Sequence, residues 1–416
     1  MPDLELTAPL RHRPFRLLFL GQVVSDIGDW LDLLALLTLI AYQWRLGAPA
    51  LAALTLVTLL PWAVSGPFAG VLVDRWPRKR VMIVCDLLRA AVVLGLVWAP
   101  NLVIVLTLVA LKFTLSTFFA PARLSAIRST VPMEDLLPAT SLSRLSVNTT
   151  KVLGPSLGGV LVALTGPRGA FFIDSLTFLC SASLLSMLTL PSSATLAATA
   201  STSRRFWREF REGITSIAHC RVLLILVGVM TAEMILVEAS DSLFVLALKG
   251  LGMSAALVGL TIGSSGIGNV AGAAAIGQWG KRVLPFRLLG TGTVLVGAVT
   301  AAIGGGLILG LGGSGAWIPV IILAGIGFAC IWVPCGFLVQ SETPEELIGR
   351  VSATAIALQT GFGLLGPPLG AVLAQRFGVG PVFVSTGIAL ILLGAGVLLV
   401  RPSRRTAASD PDAAPG

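Results

Sequence analysis

The sequence predicts an all-α integral membrane protein with twelve transmembrane helices in two pseudo-symmetric halves. Of its 416 residues, 55% are hydrophobic and only 12% are charged, about half the charged share of a typical soluble domain. The apolar residues form runs long enough to cross roughly 30 Å of hydrocarbon. Because lipid offers no hydrogen-bond partner to backbone amides, we expect these runs to be helical. The composition excludes a disordered chain and argues against a soluble enzyme.

Twelve such runs are separated by short connections. They lie at about 15–42, 50–74, 81–99, 101–122, 137–165, 170–191, 221–248, 256–279, 284–310, 316–341, 350–375 and 380–400. One longer connection is rich in Ala, Ser and Thr and then becomes basic, and it divides the chain near its middle. The expected domains are a cytoplasmic N-terminal segment (1–14), a six-helix bundle (15–191), a basic linker (192–220), a second six-helix bundle (221–400) and a disordered tail (401–416).

The distribution of cations predicts the orientation. With the N-terminus assigned to the cytoplasm, 22 of the 29 Lys and Arg residues fall in cytoplasmic segments, 4 in external segments and 3 inside spans. Cytoplasmic loops of membrane proteins are enriched in cations, so both termini are expected in the cytoplasm. The net charge of +9 is therefore attributed to topology and not to nucleic-acid binding. We expect a multi-pass protein of the plasma or inner membrane that acts as a monomer without a cofactor or metal.

The two halves of the chain resemble each other. The segment GPSLGGVL at 154–161 matches GPPLGAVL at 366–373 with an offset of 212 residues, and 131–134 matches 343–346 at the same offset. Two matches at one offset favour a duplication, a common plan of transporters, over chance similarity among glycine-rich runs. Glycine pairs four residues apart on spans two, five, eight and eleven also predict close helix packing between the halves.

Several motifs carry a family resemblance. The loop after span two reads GPFAGVLVDRWPRKR at 66–80, and span five contains GPSLGG at 154–159. FFAPAR at 118–123 and FIDSLTF at 172–178 accompany them. Together they resemble the major facilitator superfamily, and in particular its branch of macrolide-efflux and enterobactin-exporter proteins. The resemblance covers roughly residues 12–400.

The resemblance implies a fold and a function. Two six-helix bundles would surround a central cavity, and the protein would be a secondary active exporter of amphipathic organic molecules, such as drugs or macrolides, in exchange for protons. The implied gating motif is Gly66, Gly70, Asp74, Arg75, Arg78 and Lys79. The implied antiporter-like motif is Gly154, Pro155, Gly158 and Gly159. Export of a siderophore or lysolipid by the same fold is an alternative, as is a membrane-embedded protein that does not transport.

Placing an ionisable residue inside a membrane span costs about 2.5–3.5 kcal/mol on insertion scales. Each such residue in the spans is therefore a candidate for a function or for a structural ion pair. Three aspartates on span one are spaced three residues apart and largely share one face, and span four carries a lysine that can pair with Asp29 or Asp32. A low-dielectric environment favours a neutral carboxyl group, which can then load and release a proton. The predicted proton-coupling residues are Asp29, Asp32, Glu233, Asp26, Glu238 and Lys112. A permanent Asp29–Lys112 pair and direct substrate contact are the alternatives.

Aromatic residues in the spans are candidate contacts for an amphipathic substrate in the cavity. They are Trp30, Trp62, Phe113, Phe244, Trp332 and Phe337. Enzymatic activity is not expected, because the two histidines, His12 and His219, lie outside the spans and no Ser/His/Asp arrangement can be argued.

Overall fold

The computed structural model describes residues 7–73, 76–189, 203–280, 283–313 and 315–400. Every regular element in these residues is a helix, which agrees with the all-α prediction. The α-helices are α1 Arg13–Thr38, α2 Ala48–Val73, α3 Arg78–Leu96, α4 Leu102–Thr130, α5 Leu136–Ser186, α6 Ser203–His219, α7 Arg221–Asp241, α8 Phe244–Gly250, α9 Ala255–Trp279, α10 Pro285–Ile308, α11 Trp317–Glu342, α12 Ile348–Gly363, α13 Gly366–Phe377 and α14 Val379–Leu399.

Nine stretches of the described residues are long and apolar enough to cross a bilayer. α1 and α3 are not among them, since α1 contains three aspartates and α3 contains five charged residues. One of the nine, 133–186, has 54 residues and is therefore about twice as long as one crossing requires. The many apolar helices indicate a multi-pass membrane protein.

Several predicted spans are bent or divided, mostly where Gly and Pro occur. Gly166 adopts a φ of 72° inside α5 and is followed by Pro167, so α5 consists of two helical segments that correspond to spans five and six. Span eleven is divided into α12 and α13, because Pro367 and Pro368 lack the backbone N–H that a continuous helix would need. Span seven is likewise divided into α7 and α8.

The basic linker contains a helix that the sequence analysis did not predict. This amphipathic helix, α6, packs against α12 and α7. A Cβ on Gly213 of α6 would overlap the Thr354 hydroxyl of α12, and Arg350 Nη1 pairs with Glu212 Oε2 at 2.8 Å. The first part of the linker and the tail 401–416 lie outside the described residues.

The same pairs of helices pack in each half of the chain. In the N-terminal half (α1–α5), α1 packs on α5, α2 on α4, and α3 on both α4 and α5. In the C-terminal half (α7–α14), α7 packs on α12, α13 and α14, α9 on α11, and α10 on both α11 and α14. When α5 is counted as spans five and six and α12 with α13 as span eleven, each pair recurs six spans later. The sequence repeat is thus accompanied by a repeat of helix packing.

The two halves meet at one end of the bundle. We call the end that carries Arg78 the basic end and the opposite end the far end. At the far end, one buried apolar cluster contains residues of both halves, Tyr42 Oη donates to the Met253 carbonyl oxygen at 2.8 Å, and Lys249 Nζ donates to the Ala41 carbonyl oxygen at 2.5 Å. Each of the other buried apolar clusters within the described residues belongs to one half only. The buried apolar contacts between the halves that the described residues show are therefore concentrated at the far end, and α2 also packs on α12 and α13 of the other half.

Glycines bring α5 and α9 together across the two halves. A Cβ on Gly259 of α9 would lie 2.6 Å from the Pro155 carbonyl oxygen and 2.7 Å from Gly159 Cα, both on α5. One turn further along α9, a Cβ on Gly263 would overlap the Ser156 hydroxyl. Small residues let the backbones of membrane helices approach closely. Of the predicted glycine pairs on spans five and eight, Gly259/Gly263 therefore lies at a contact between the halves. The other two pack within their own halves, Gly154/Gly158 against α1 and Gly268/Gly272 against α11.

Candidate transport site

Lys112 lies among three carboxylates between α1, α4 and α5. Its side chain is 1% exposed, and Nζ lies 2.7 Å from Asp29 Oδ1, 2.7 Å from Asp32 Oδ2 and 3.6 Å from Asp174 Oδ2. The sequence predicts a pair of Lys112 with Asp29 or Asp32, and in the structure the lysine contacts both. The Asp29 side chain is 40% exposed, while those of Asp32 and Asp174 are 2% and 0% exposed. Asp29 is therefore the member of this cluster that solutes can reach.

Asp174 was not singled out by the sequence analysis, although it lies in the FIDSLTF segment. It reaches the cluster because Gly28 has no side chain: a Cβ there would overlap both Asp174 Oδ1 and the Thr177 hydroxyl. The Thr177 hydroxyl lies 3.0 Å from Asp174 Oδ1. Asp174 Oδ2 has no hydrogen-bond partner among the described residues. The helix pairing that brings Asp174 to Lys112 is a tertiary feature, which explains why the residue was missed.

Substitution of Gly28 by alanine is expected to destabilise the protein. The added methyl group overlaps the side chains of Asp174 and Thr177, so these buried side chains or α1 itself must shift, and overpacking of this kind costs about 1–3 kcal/mol. Thermal unfolding of the purified variant should show a lower melting temperature than that of the wild type. Gly228→Ala on α7 is the matched control, since a Cβ there meets no atom within 4 Å. Equal melting temperatures for the two variants would contradict the close α1–α5 contact.

A second buried ion pair lies on α3. Arg89 Nη2 pairs with Asp86 Oδ1, and Asp86 Oδ2 accepts a hydrogen bond from Ser181 Oγ at 2.7 Å. The Arg89 guanidinium lies 4.3 Å from the ring centroid of Phe119 and 4.5 Å from that of Phe178. Arg89 lies inside a predicted span, and the sequence indicates no partner for it on another span. The spacing of three residues from Asp86 is the signal that identifies the pair.

The charged groups border a cavity of about 160 Å³ in the N-terminal half. Its wall includes Asp26, Asp29, Trp62, Arg89, Phe119 and Arg123. Asp26 Oδ1 lies 3.6 Å from Arg123 Nη1, and Gln22 Nε2 donates to Asp26 Oδ2 at 3.3 Å. The cavity thus presents two carboxylates and two guanidinium groups beside two aromatic rings. Such a surface suits a molecule that has both charged and apolar parts.

The aromatic candidates are distributed over several places. Trp62 lines the cavity between the charged groups. Phe113 and Phe244 pack against the apolar cluster that joins the two halves. Trp332 and Phe337 lie on α11, where they are 51% and 59% exposed. The structure therefore brings two of these residues to the charged groups of the N-terminal half. Trp62 lies at the cavity, and the Phe113 ring centroid lies 5.8 Å from Lys112 Nζ.

The antiporter-like motif is a packing surface on α5. A Cβ on Gly154 would lie 2.5 Å from the indole ring of Trp30, and one on Gly158 would lie 3.0 Å from the Trp30 carbonyl oxygen. Gly159 faces the other half, where a Cβ would lie 3.0 Å from Gly259 Cα. The motif therefore holds α5 against α1 on one side and against α9 on the other. This contact also places Trp30, the remaining aromatic candidate.

The gating motif falls only partly in the described part of the chain. Outside it lie Asp74, Arg75 and the surroundings of Gly66 and Gly70. Arg78 Nη1 donates to the Ser125 carbonyl oxygen at 3.4 Å, and Lys79 Nζ donates to the Ser186 carbonyl oxygen at 2.6 Å. Ser186 ends α5, where a cation is favoured by the helix dipole. These two contacts hold α3 to α4 and α5 at the basic end.

The C-terminal half has carboxylates with no ion-pair partner among the described residues. Glu233 on α7 is 4% exposed, and neither of its carboxylate oxygens has a hydrogen-bond partner there. The Thr293 hydroxyl lies beside Glu233 but donates to the Leu289 carbonyl oxygen at 3.0 Å. Glu238 is partly buried, and its Cβ packs against Gly366 of α13. Because an unpaired buried charge is costly, we expect Glu233 to be neutral.

Paired and unpaired charges inside a bundle of apolar helices, next to a cavity, are typical of membrane transport proteins. Comparison with known proteins agrees with this class. The sequence model of the Major Facilitator Superfamily matches residues 18–363. The uncharacterized MFS-type transporter YfiS of Bacillus subtilis (strain 168) is 30% identical over 397 residues, which cover 93% of this chain and 94% of YfiS. The chain belongs to the major facilitator superfamily and is a transporter.

Two further comparisons concern the macrolide-efflux branch of the superfamily and the fold. Macrolide efflux protein A of Streptococcus pyogenes is 24% identical over 390 residues, which cover 91% of this chain and 94% of that protein. A mutant of the nucleoside transporter NupG superposes with a TM-score of 0.75 at 12% identity, covering 93% of this chain and 99% of NupG. The predicted resemblance to this family and to macrolide-efflux proteins is confirmed.

Proposed function

We propose that the protein is a proton-driven exporter of amphipathic organic molecules. It crosses the membrane twelve times, with both termini in the cytoplasm, and acts as a monomer in the plasma or inner membrane. The observation that carries the proposal is the cluster at Lys112, in which an accessible carboxylate, Asp29, shares its cation with carboxylates buried behind it. The similarity to macrolide efflux protein A supports export.

Competition at Asp29 provides the coupling. The carboxylate of Asp29 lines the cavity, so it is open both to protons and to the cationic or hydrogen-donating group of a substrate. Either of them adds one positive charge to the cluster that Asp29 forms with Lys112, Asp32 and Asp174, so binding of one disfavours binding of the other. When two ligands exclude each other at one site that faces each side of the membrane in turn, they are carried in opposite directions.

Alternating access is supported by the way the halves meet. The bundles, 15–191 and 221–400, share a buried apolar cluster at the far end, and between them α5 packs on α9 and α2 on α13. With the basic end in the cytoplasm, we propose that this arrangement is closed outward. Export then requires the Gly159–Gly259 contact to separate while the basic ends approach. The linker 192–220, with α6, connects the two moving bodies.

Expression in an efflux-deficient bacterial host tests the proposal. We expect the wild type to lower the accumulation of at least one member of a panel of macrolides, dyes and siderophores, and a protonophore to abolish this effect. Asp29→Asn should restore accumulation to the level of cells without the protein, because the amide has no negative charge with which to bind a substrate cation or to exchange Lys112. Asp135→Asn is the matched control, since Asp135 pairs with His12 away from the cavity. Export that survives both the protonophore and Asp29→Asn would contradict proton coupling.

A further inference from the structure

We propose that Asp174 is a proton-binding site that holds a proton while Lys112 is paired with Asp29. The proton is released when Lys112 moves to Asp174. This inference rests on the proposed proton-driven export and adds the residue from which the proton leaves. It was not among the candidates that the sequence supplied.

The first support is the geometry of the carboxyl group. Asp174 is fully buried, and its Oδ2 has no hydrogen-bond partner among the described residues, although it lies 3.6 Å from Lys112 Nζ. The other oxygen, Oδ1, lies 3.0 Å from the Thr177 hydroxyl. Lys112 instead lies 2.7 Å from Asp29 and 2.7 Å from Asp32. The Asp174 oxygen thus points at a cation that is held by two nearer carboxylates.

The second support is the balance of charge. The charged groups that face Asp174 are Asp29 and Asp32 from α1 and Lys112 from α4. On α3, Asp86 and Arg89 form a pair of their own. With all three aspartates ionised, one lysine would face three negative charges in a buried site, and an uncompensated buried charge is strongly disfavoured. Asp174 is the carboxyl group that binds the proton, because it is the farthest of the three from Lys112 Nζ and has no direct access to water.

The exchange follows from this arrangement. A substrate cation binds the accessible Asp29 carboxylate, and Lys112 shifts from Asp29 to Asp174 while it stays protonated. The O–H bond at Asp174 Oδ1, beside the Thr177 hydroxyl, breaks, and Lys112 relays the proton. Lys112 gives one N–H proton to cavity water beside Asp29 and takes up the Asp174 proton in its place, so the proton leaves on the cytoplasmic side in the proposed orientation. One cation enters the cluster and one proton leaves it, so the net charge of the cluster with its bound cations is unchanged. After the far end opens, a proton returns to Asp174 and the substrate leaves.

Infrared spectroscopy of the purified protein tests this assignment without a substrate. We expect the wild type at neutral pH to show a C=O stretching band of buried, protonated carboxylic acids. Asp174→Asn should remove one component of this band. Glu233→Gln, at the other buried carboxyl group expected to be neutral, should leave that component in place and remove a different one. A spectrum of Asp174→Asn that superimposes on the wild type in this region would overturn the proposal.

A second variant keeps the test decisive if Asp174→Asn does not fold. Thr177→Val preserves the shape of the side chain but removes the hydroxyl next to Asp174 Oδ1. The same band component should therefore shift in frequency and remain present, whereas an unshifted component would refute the assignment. Because the measurement needs no transport, the outcome for Asp174 is distinguishable from a failure of proton-driven export itself.

Discussion

Lys112→Met is expected to lower the melting temperature of the purified protein further than Gly28→Ala does. The change leaves Asp29, Asp32 and Asp174 without their shared cation, and removing one partner of a buried ion pair costs about 3–5 kcal/mol. Export should be lost in the same variant. Thermal unfolding in detergent and the amount of protein recovered from the membrane measure the effect.

Two further variants separate charge balance from the loss of a lysine as such. Lys151→Met is the matched control, because Lys151 lies within a predicted span but is exposed on α5. The double variant Lys112→Met, Asp32→Asn should recover part of the stability, since it leaves one fewer uncompensated carboxylate. If Lys112→Met melted at the temperature of Lys151→Met, the cluster would not stabilise the N-terminal half.

Gly259→Leu is expected to abolish export by separating the two halves at the far end. A Cβ on Gly259 already lies 2.6 Å from the Pro155 carbonyl oxygen, so a leucine side chain cannot fit against α5. The halves can then no longer close at the far end as they do in the wild type. Spin labels at positions 43 and 254, both exposed at the far end, measure this separation in a variant whose native cysteines are replaced. The distance between the labels should increase.

Gly277→Leu is the control for the leucine substitution. Gly277 lies on the same helix, α9, but a Cβ there meets no atom within 4 Å. The distance between the labels and the export activity should both match the wild type. If Gly259→Leu also left the distance and the activity unchanged, the α5–α9 contact would not control access at the far end.

The positions of most membrane helices could be predicted from the sequence because hydropathy is a local property. The Asp29–Lys112 contact could also be predicted, since a carboxylate and a lysine inside membrane spans both need a partner of opposite charge. The third carboxylate, Asp174, was not found. Its meeting with Lys112 depends on how α1 and α5 are rotated about their axes, and apolar membrane helices have little contrast between faces to reveal that rotation.

Other features were missed for related reasons. Asp86 and Arg89 neutralise each other within one helix, so neither demanded a partner on another span. The helix α6 follows an Ala/Ser/Thr-rich segment, and its polar composition resembles that of a loop. The role of Gly28 is visible only where α1 meets Asp174, because a glycine that makes room for a particular side chain looks like any other glycine in the sequence.

Opposite movement of substrate and protons is the central claim, and proteoliposomes with an internal pH indicator measure it directly. The compound that the protein exports from cells is applied as a gradient across the vesicle wall. We expect its flow in one direction to drive protons in the other, and Asp29→Asn to lack this proton movement. Substrate that crosses with no accompanying change of internal pH, or that does not cross under any pH gradient, would contradict the account.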